Sequence, residues 1–140
     1  MIGGAIAIIL LIGIAGLHVF WALGGHIGQS AAVPERNGKP AFKPGPIATF
    51  AVAVALVVAV LLVAAHLGWI ASPVPTGLVR VLVWMIVVAF AARAIGDFRY
   101  VGFFKRVRDT RFARLDTRVF SPLCAVLAIA VTDAVIEGRF

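Results

Sequence analysis

Four stretches of this chain are long and apolar enough to cross a membrane: residues 2–23, 47–67, 78–95 and roughly 119–136. Each runs for about 18–22 residues, which at 1.5 Å per residue matches the roughly 30 Å of hydrocarbon in a bilayer. The first two contain no Asp, Glu, Lys or Arg; the third carries Arg80 and Arg93 near its ends, and the fourth carries Asp133. None alternates with a period of two, which argues against a β-barrel, and backbone groups in lipid must pair within their own segment. The expected fold is therefore all-α, an integral membrane four-helix bundle built as a single transmembrane domain over residues 1–140. Composition agrees: 62% of the residues are hydrophobic, against about 45–50% in soluble domains.

The first span resembles a signal peptide only superficially. It lacks a positive n-region, its apolar run is long for an h-region, and Gly24–Gly28 offers no small-x-small cleavage site. We read it as a retained helix. The single cysteine, Cys124, excludes an internal disulfide and any multi-cysteine metal site.

The net charge of +7 would suggest nucleic acid in a soluble protein. Beside hydrophobic spans it reads instead as a topology signal and a surface for anionic lipid headgroups, so membrane lipids are the expected partners and nucleic acid is not. The first loop holds Arg36, Lys39 and Lys43; the third holds Arg99, Lys105, Arg106, Arg108, Arg111, Arg114 and Arg118. Four spans put these loops on one side, and the positive-inside rule makes that side cytoplasmic, with both termini outside. The first loop, rich in proline, reads as an ordered extended segment, and the second as a tight hairpin with Trp69 at the interface.

The third loop is the polar centre. Aromatic residues Phe98, Tyr100, Phe103 and Phe104 interleave with basic ones, which suggests that the third helix continues out of the bilayer with its cations reaching phosphates. Asp109-Thr110 offers an N-cap for a short turn through Leu115. The fourth helix has two candidate starts: Ser121 capping with Pro122 in the first turn, or Asp116 or Thr117 capping with a mild kink at Pro122. On the same side, His18 and Trp21 share a face of the first helix. Arg93 and Asp97, four apart, would share a face of the third and pair there, with His18 as a second partner for Arg93. The candidate binding residues are thus His18, Trp21, Arg93, Asp97, Arg99, Tyr100, Asp116 and Arg118. The plainer reading is that Arg93 snorkels and the pair only fixes the bundle. No phosphate-cradling loop, zinc motif or hydrolytic triad appears, so neither metal nor other cofactor is expected.

The run from Arg93 through Gly96, Asp97 and Lys105, continuing from Thr110 to Cys124, resembles a bacterial family of small four-helix membrane proteins known as domain of unknown function 3995. The segment from His18 to Gly25 and the proline-rich first loop resemble it too. The resemblance implies a four-helix protein of the bacterial inner membrane and brings no activity with it.

Three functions remain open. The polar cluster would bind or transport an anionic small molecule or lipid headgroup, with Arg93 as the fixed charge, Asp97 orienting it and Trp21 and Tyr100 as walls. Alternatively, a membrane enzyme would act on a lipid or isoprenoid substrate with His18 as base, which requires a carboxylate beside that histidine. Or the chain would be an interaction subunit, assembled as a homo-oligomer or docked on a larger membrane complex.

Overall fold

The computed structural model describes residues 1–138. Four helices in it are long and apolar enough to span a membrane, so the all-α bundle expected from the sequence is the fold. They are α1 (Ile2–Ala22), α2 (Pro46–His66), α3 (Thr76–Ile95) and a last helical stretch from Arg111 to Glu137. This last stretch has three parts: α4 (Arg111–Leu115), a π-helical turn over Asp116–Phe120, and α5 (Ser121–Glu137).

Local sequence sets these boundaries. Pro46 opens α2, where its missing N–H is one of the unpaired donors of a first turn in any case. Thr110 caps α4 by accepting the Ala113 N–H at 3.0 Å, as the sequence predicts. The π turn lies just before Pro122. Proline cannot donate to the carbonyl four residues back and its ring crowds that carbonyl. Instead the Ser121 N–H reaches back five residues, to the Asp116 carbonyl, and the wider turn makes room. Ser121 is itself helical, with φ −67° and ψ −44°, so it is not the N-cap that one of the two candidate starts required.

Packing forms an open chain of neighbours. α1 lies closely on α2, α3 closely on α5, and α1 and α5 join the two pairs, whereas α2 and α3 approach least of these. The core is made of small side chains: Ala7, Val63, Val79, Val83, Ala130, Val131 and Ala134 at one end, and Leu11, Ala59 and Leu127 further along. Small residues let helix backbones approach where lipid supplies no hydrophobic driving force between them. Large apolar side chains such as Ile9, Val88 and Ile129 point outward, as spans in lipid require.

The two ends differ. At the second-loop end, the Gly3 N–H donates to Asp133 at 3.1 Å and the buried His66 ring faces the Val135 carbonyl. At the other end, called here the basic end, the first and third loops pack together. α4 rests on the Ser30–Ala32 turn and on strand β1 (Glu35–Arg36), with Ala31, Phe112 and Ala113 buried. β1 pairs antiparallel with β2 (Lys39–Pro40). The turn between them is Asn37-Gly38, both with positive φ, which suits a two-residue hairpin. The expected proline-rich loop is thus ordered but contains a hairpin, whose signal was the Asn-Gly pair.

Candidate functional site at the basic end

The third helix does not continue out of the bundle. α3 stops at Gly96, whose φ of 91° and ψ of −170° lie in a region open essentially to glycine alone. Asp97 then turns its carboxylate on the following backbone. Its Oδ1 accepts from the N–H groups of Arg99 (2.9 Å), Tyr100 (2.7 Å) and Val101 (3.0 Å). Burial works against that charge, but the three N–H groups outweigh it and hold the Asp97 carboxyl below the usual aspartate range. Gly96 and Gly102 meet backbone to backbone, with no room for a Cβ on either. The Phe103 N–H donates to the Ala94 carbonyl at 2.8 Å, so the loop closes over the end of α3.

Asp116 binds this loop from beneath. Its carboxylate is fully buried; Oδ1 accepts from Arg93 Nη2 at 2.9 Å, and Oδ2 accepts from the Gly102 N–H at 2.7 Å and from Lys105 Nζ at 3.0 Å. Lys105 is equally buried. Its ammonium also donates to the Gly102 carbonyl at 2.8 Å and to Thr117 Oγ1 at 2.6 Å, which occupies all three of its donors. Arg93 Nη1 and Ser121 Oγ are buried and have no protein partner among the described residues. Two nearby arginines also bond backbone carbonyls: Arg108 to those of Lys105 and Phe103, and Arg114 to that of Asp109. Arg99 lies 5.1 Å from the centre of the Tyr100 ring, a cation–π distance.

The first loop is built differently. Trp21 Nε1 donates to the Ile27 carbonyl at 2.8 Å and pins the chain as it leaves α1. His18 sits edge-on to Trp21, ring centroids 5.2 Å apart. Its Nδ1 lies 2.8 Å from the Ile14 carbonyl. A carbonyl can only accept, so Nδ1 carries the proton and Nε2 of the neutral ring is left as an acceptor. Between these rings, the loop and the start of α2 is a cavity of about 360 Å³. Its polar groups come from His18, Gln29, Lys43 and Thr49; Phe42, Val33 and Val52 are among its apolar walls.

A model of one protein family matches residues 11–131. The chain belongs to the family described as protein of unknown function DUF3995. No curated protein and no solved structure matches it. In this DUF3995 chain the matched stretch takes in both loops of the basic end whole.

The residues proposed from sequence as one cluster fall into two groups in the DUF3995 fold. No hydrogen bond or ring contact joins His18 and Trp21 to Arg93, Asp97, Arg99, Tyr100, Asp116 or Arg118 among the described residues. The pairing of Arg93 with Asp97 is overturned: Gly96 ends the helix, four-residue spacing no longer puts them on one face, and Arg93 turns to Asp116 instead. Lys105, expected to reach lipid phosphates, is buried as the partner of Asp116. Arg118 is exposed on the π turn. Nothing in the sequence spacing identified Lys105, because it meets Asp116 only once the loop has closed. Lys43 and Gln29, on the wall of the cavity, had a weak signal: polar side chains in a loop too rich in proline to be slack.

Proposed function

We propose that this chain is an integral protein of the bacterial inner membrane that binds an anionic group, a lipid headgroup or a small anion of the same chemistry, in the cavity beneath the first loop. The observation that carries this reading is the cavity itself, about 360 Å³ with Lys43, His18 and Gln29 on its wall. Lys43 supplies charge, Gln29 supplies an N–H donor, His18 Nε2 supplies an acceptor for a hydroxyl of the ligand, and Trp21 and Phe42 supply flat walls. The Arg93–Lys105–Asp116 group is the frame beside this site. Its carboxylate already takes three donors, and it fixes the third loop against which the first loop packs. The concentration of Lys and Arg in these loops supports a cytoplasmic basic end and outward termini; a reporter fused after residue 140 that proved cytoplasmic would reverse this orientation.

The enzymatic alternative needed a carboxylate at His18. The Nδ1 partner is the Ile14 carbonyl, so among the described residues no carboxylate orients the ring as a base.

Binding of butyl phosphate to the purified protein in neutral detergent, followed by titration calorimetry, tests the proposal. Lys43→Ala should weaken binding by about tenfold, the value of one charge-assisted hydrogen bond of roughly 1.4 kcal/mol, and Arg99→Ala should leave it unchanged. Equal affinity in the wild type and Lys43→Ala would remove the site.

A further inference from the structure

The headgroup cavity is not an isolated hollow. Val52 on α2 lines it and also lines a second cavity, a groove of about 480 Å³ between α2 and α3. Every residue along that groove is apolar, and its floor includes three alanines, Ala55, Ala59 and Ala89. On α2 the lining residues Ala48, Val52, Ala55, Ala59 and Leu62 recur at intervals of four and three, which makes one continuous stripe down a helix face. From Val52 to Leu62 the stripe descends roughly 15 Å at 1.5 Å per residue. That is half of the ~30 Å hydrocarbon core, the depth covered by the chains of one leaflet. In the other direction the headgroup cavity shares Gln29, Phe42 and Lys43 with an outer hollow of about 690 Å³ that adds Lys39 and His26. Among the described residues, no carboxylate lines any of the three.

Polarity therefore changes along one path: lysines, Gln29 and aromatic walls line the two outer cavities, and hydrocarbon alone lines the groove. The seam between α2 and α3 is looser than those between α1 and α2 and between α3 and α5. Ala55 and Ala89 on its walls leave space that larger side chains would fill. We propose that cavity and groove form a single site for a single-chain amphiphile, its anionic head at Lys43 and Gln29 and its alkyl or isoprenoid chain in the α2–α3 groove. This rests on the headgroup reading above and adds the class of ligand: one long chain, since the groove is a single furrow continuous with a single cavity. Its polar end lies in the leaflet of the basic end.

The test uses the full chain in neutral detergent with two probes, hexadecyl phosphate and butyl phosphate, followed by native mass spectrometry and by competition. Ala55→Phe and Ala89→Phe fill the groove from exposed positions remote from the headgroup cavity. Each should reduce retention of hexadecyl phosphate at least tenfold while binding of butyl phosphate stays at the wild-type level. Unchanged hexadecyl phosphate retention would overturn the groove and leave the headgroup site standing, whereas loss of neither probe in Lys43→Ala would overturn the headgroup site. A dimer that dissociates on filling the groove, with hexadecyl phosphate still bound, would mean that a second copy occupies it, and the proposal fails. If the phenylalanine variants do not accumulate, the wild type decides the matter with hexadecyl phosphate carrying a diazirine at its chain end. Labelling concentrated on residues 52–62 and 82–90 is expected. Labelling spread evenly over outward residues such as Ile9 and Ile129 would show ordinary surrounding lipid and overturn the proposal.

Discussion

The first and third loops lie side by side at the basic end and put their lysines to opposite uses. Lys105 in the third loop is buried, and its three donors meet a carboxylate, a carbonyl and a hydroxyl. Lys43 in the first loop is exposed on the rim of a cavity. The third-loop lysine holds its own loop's shape; the first-loop lysine stands over a hollow. A cation count, three in the first loop and seven in the third, would point to the third, yet the third is scaffold and the first is the candidate site.

Breaking the scaffold should have the largest effect. Asp116→Ala leaves the Arg93 and Lys105 charges facing each other without a counter-ion, and an uncompensated buried charge costs about 3–5 kcal/mol. Lys105→Ala opens the same site from the other side. Both variants should lose several degrees of thermal stability in detergent and become sensitive to protease between residues 96 and 110, with cleavage spreading to the first loop because α4 rests on it. A folded Asp116→Ala with an intact third loop would mean that the carboxylate is not what closes it.

Gly96→Ala comes next. It forces a side chain into a glycine-only conformation and against the Val101 carbonyl, at a cost of at least about 1–3 kcal/mol. Here we expect the third loop to detach while the spans persist, seen as fast amide exchange at Val101–Phe104 with unchanged helix content.

These two positions also show what could be read from sequence. The four spans were legible because lipid imposes length and composition on any helix that crosses it. The Thr110 cap was legible because capping is local. The Arg93–Asp97 pair failed for a local reason: a glycine just past an apolar run is a helix stop, and continuing the helix through Gly96 misplaced the aromatic and basic residues from Phe98 to Arg108. The Lys105–Asp116 contact had no such signal, since the partners lie eleven positions apart on either side of a turn and the short helix α4. The cavity under the first loop was out of reach for a similar reason, because it depends on how far α2 stands from Trp21.

Ser121 provides a smaller effect of opposite sign. Its hydroxyl is fully buried with no partner among the described residues. An unsatisfied buried hydroxyl is a cost, so Ser121→Ala should raise stability by about 1 kcal/mol. A loss instead would imply that the hydroxyl is bonded through a water.

A local effect on the third loop is expected from pH. The folded-state value of Asp97 is lowered, so its contribution is present above the ordinary aspartate value of about 3.9 and is lost as pH falls through the lower folded-state one. Amide exchange at Arg99, Tyr100 and Val101 should accelerate on acidification through that range. In Asp97→Asn it should already be faster at neutral pH and should respond less to acid.

The smallest expected effect sharpens the comparison most. Lys43→Ala removes the same ammonium as Lys105→Ala, but from an exposed side chain with no protein hydrogen bond among the described residues. Exposed substitutions away from special features stay within about 0.5 kcal/mol, so thermal stability should not move. Binding of butyl phosphate should nonetheless fall about tenfold. A group that matters to a ligand and not to the fold is what a binding site contributes. If Lys43→Ala proved as destabilising as Lys105→Ala, the first loop too would be scaffold, and the cavity beneath it a packing void.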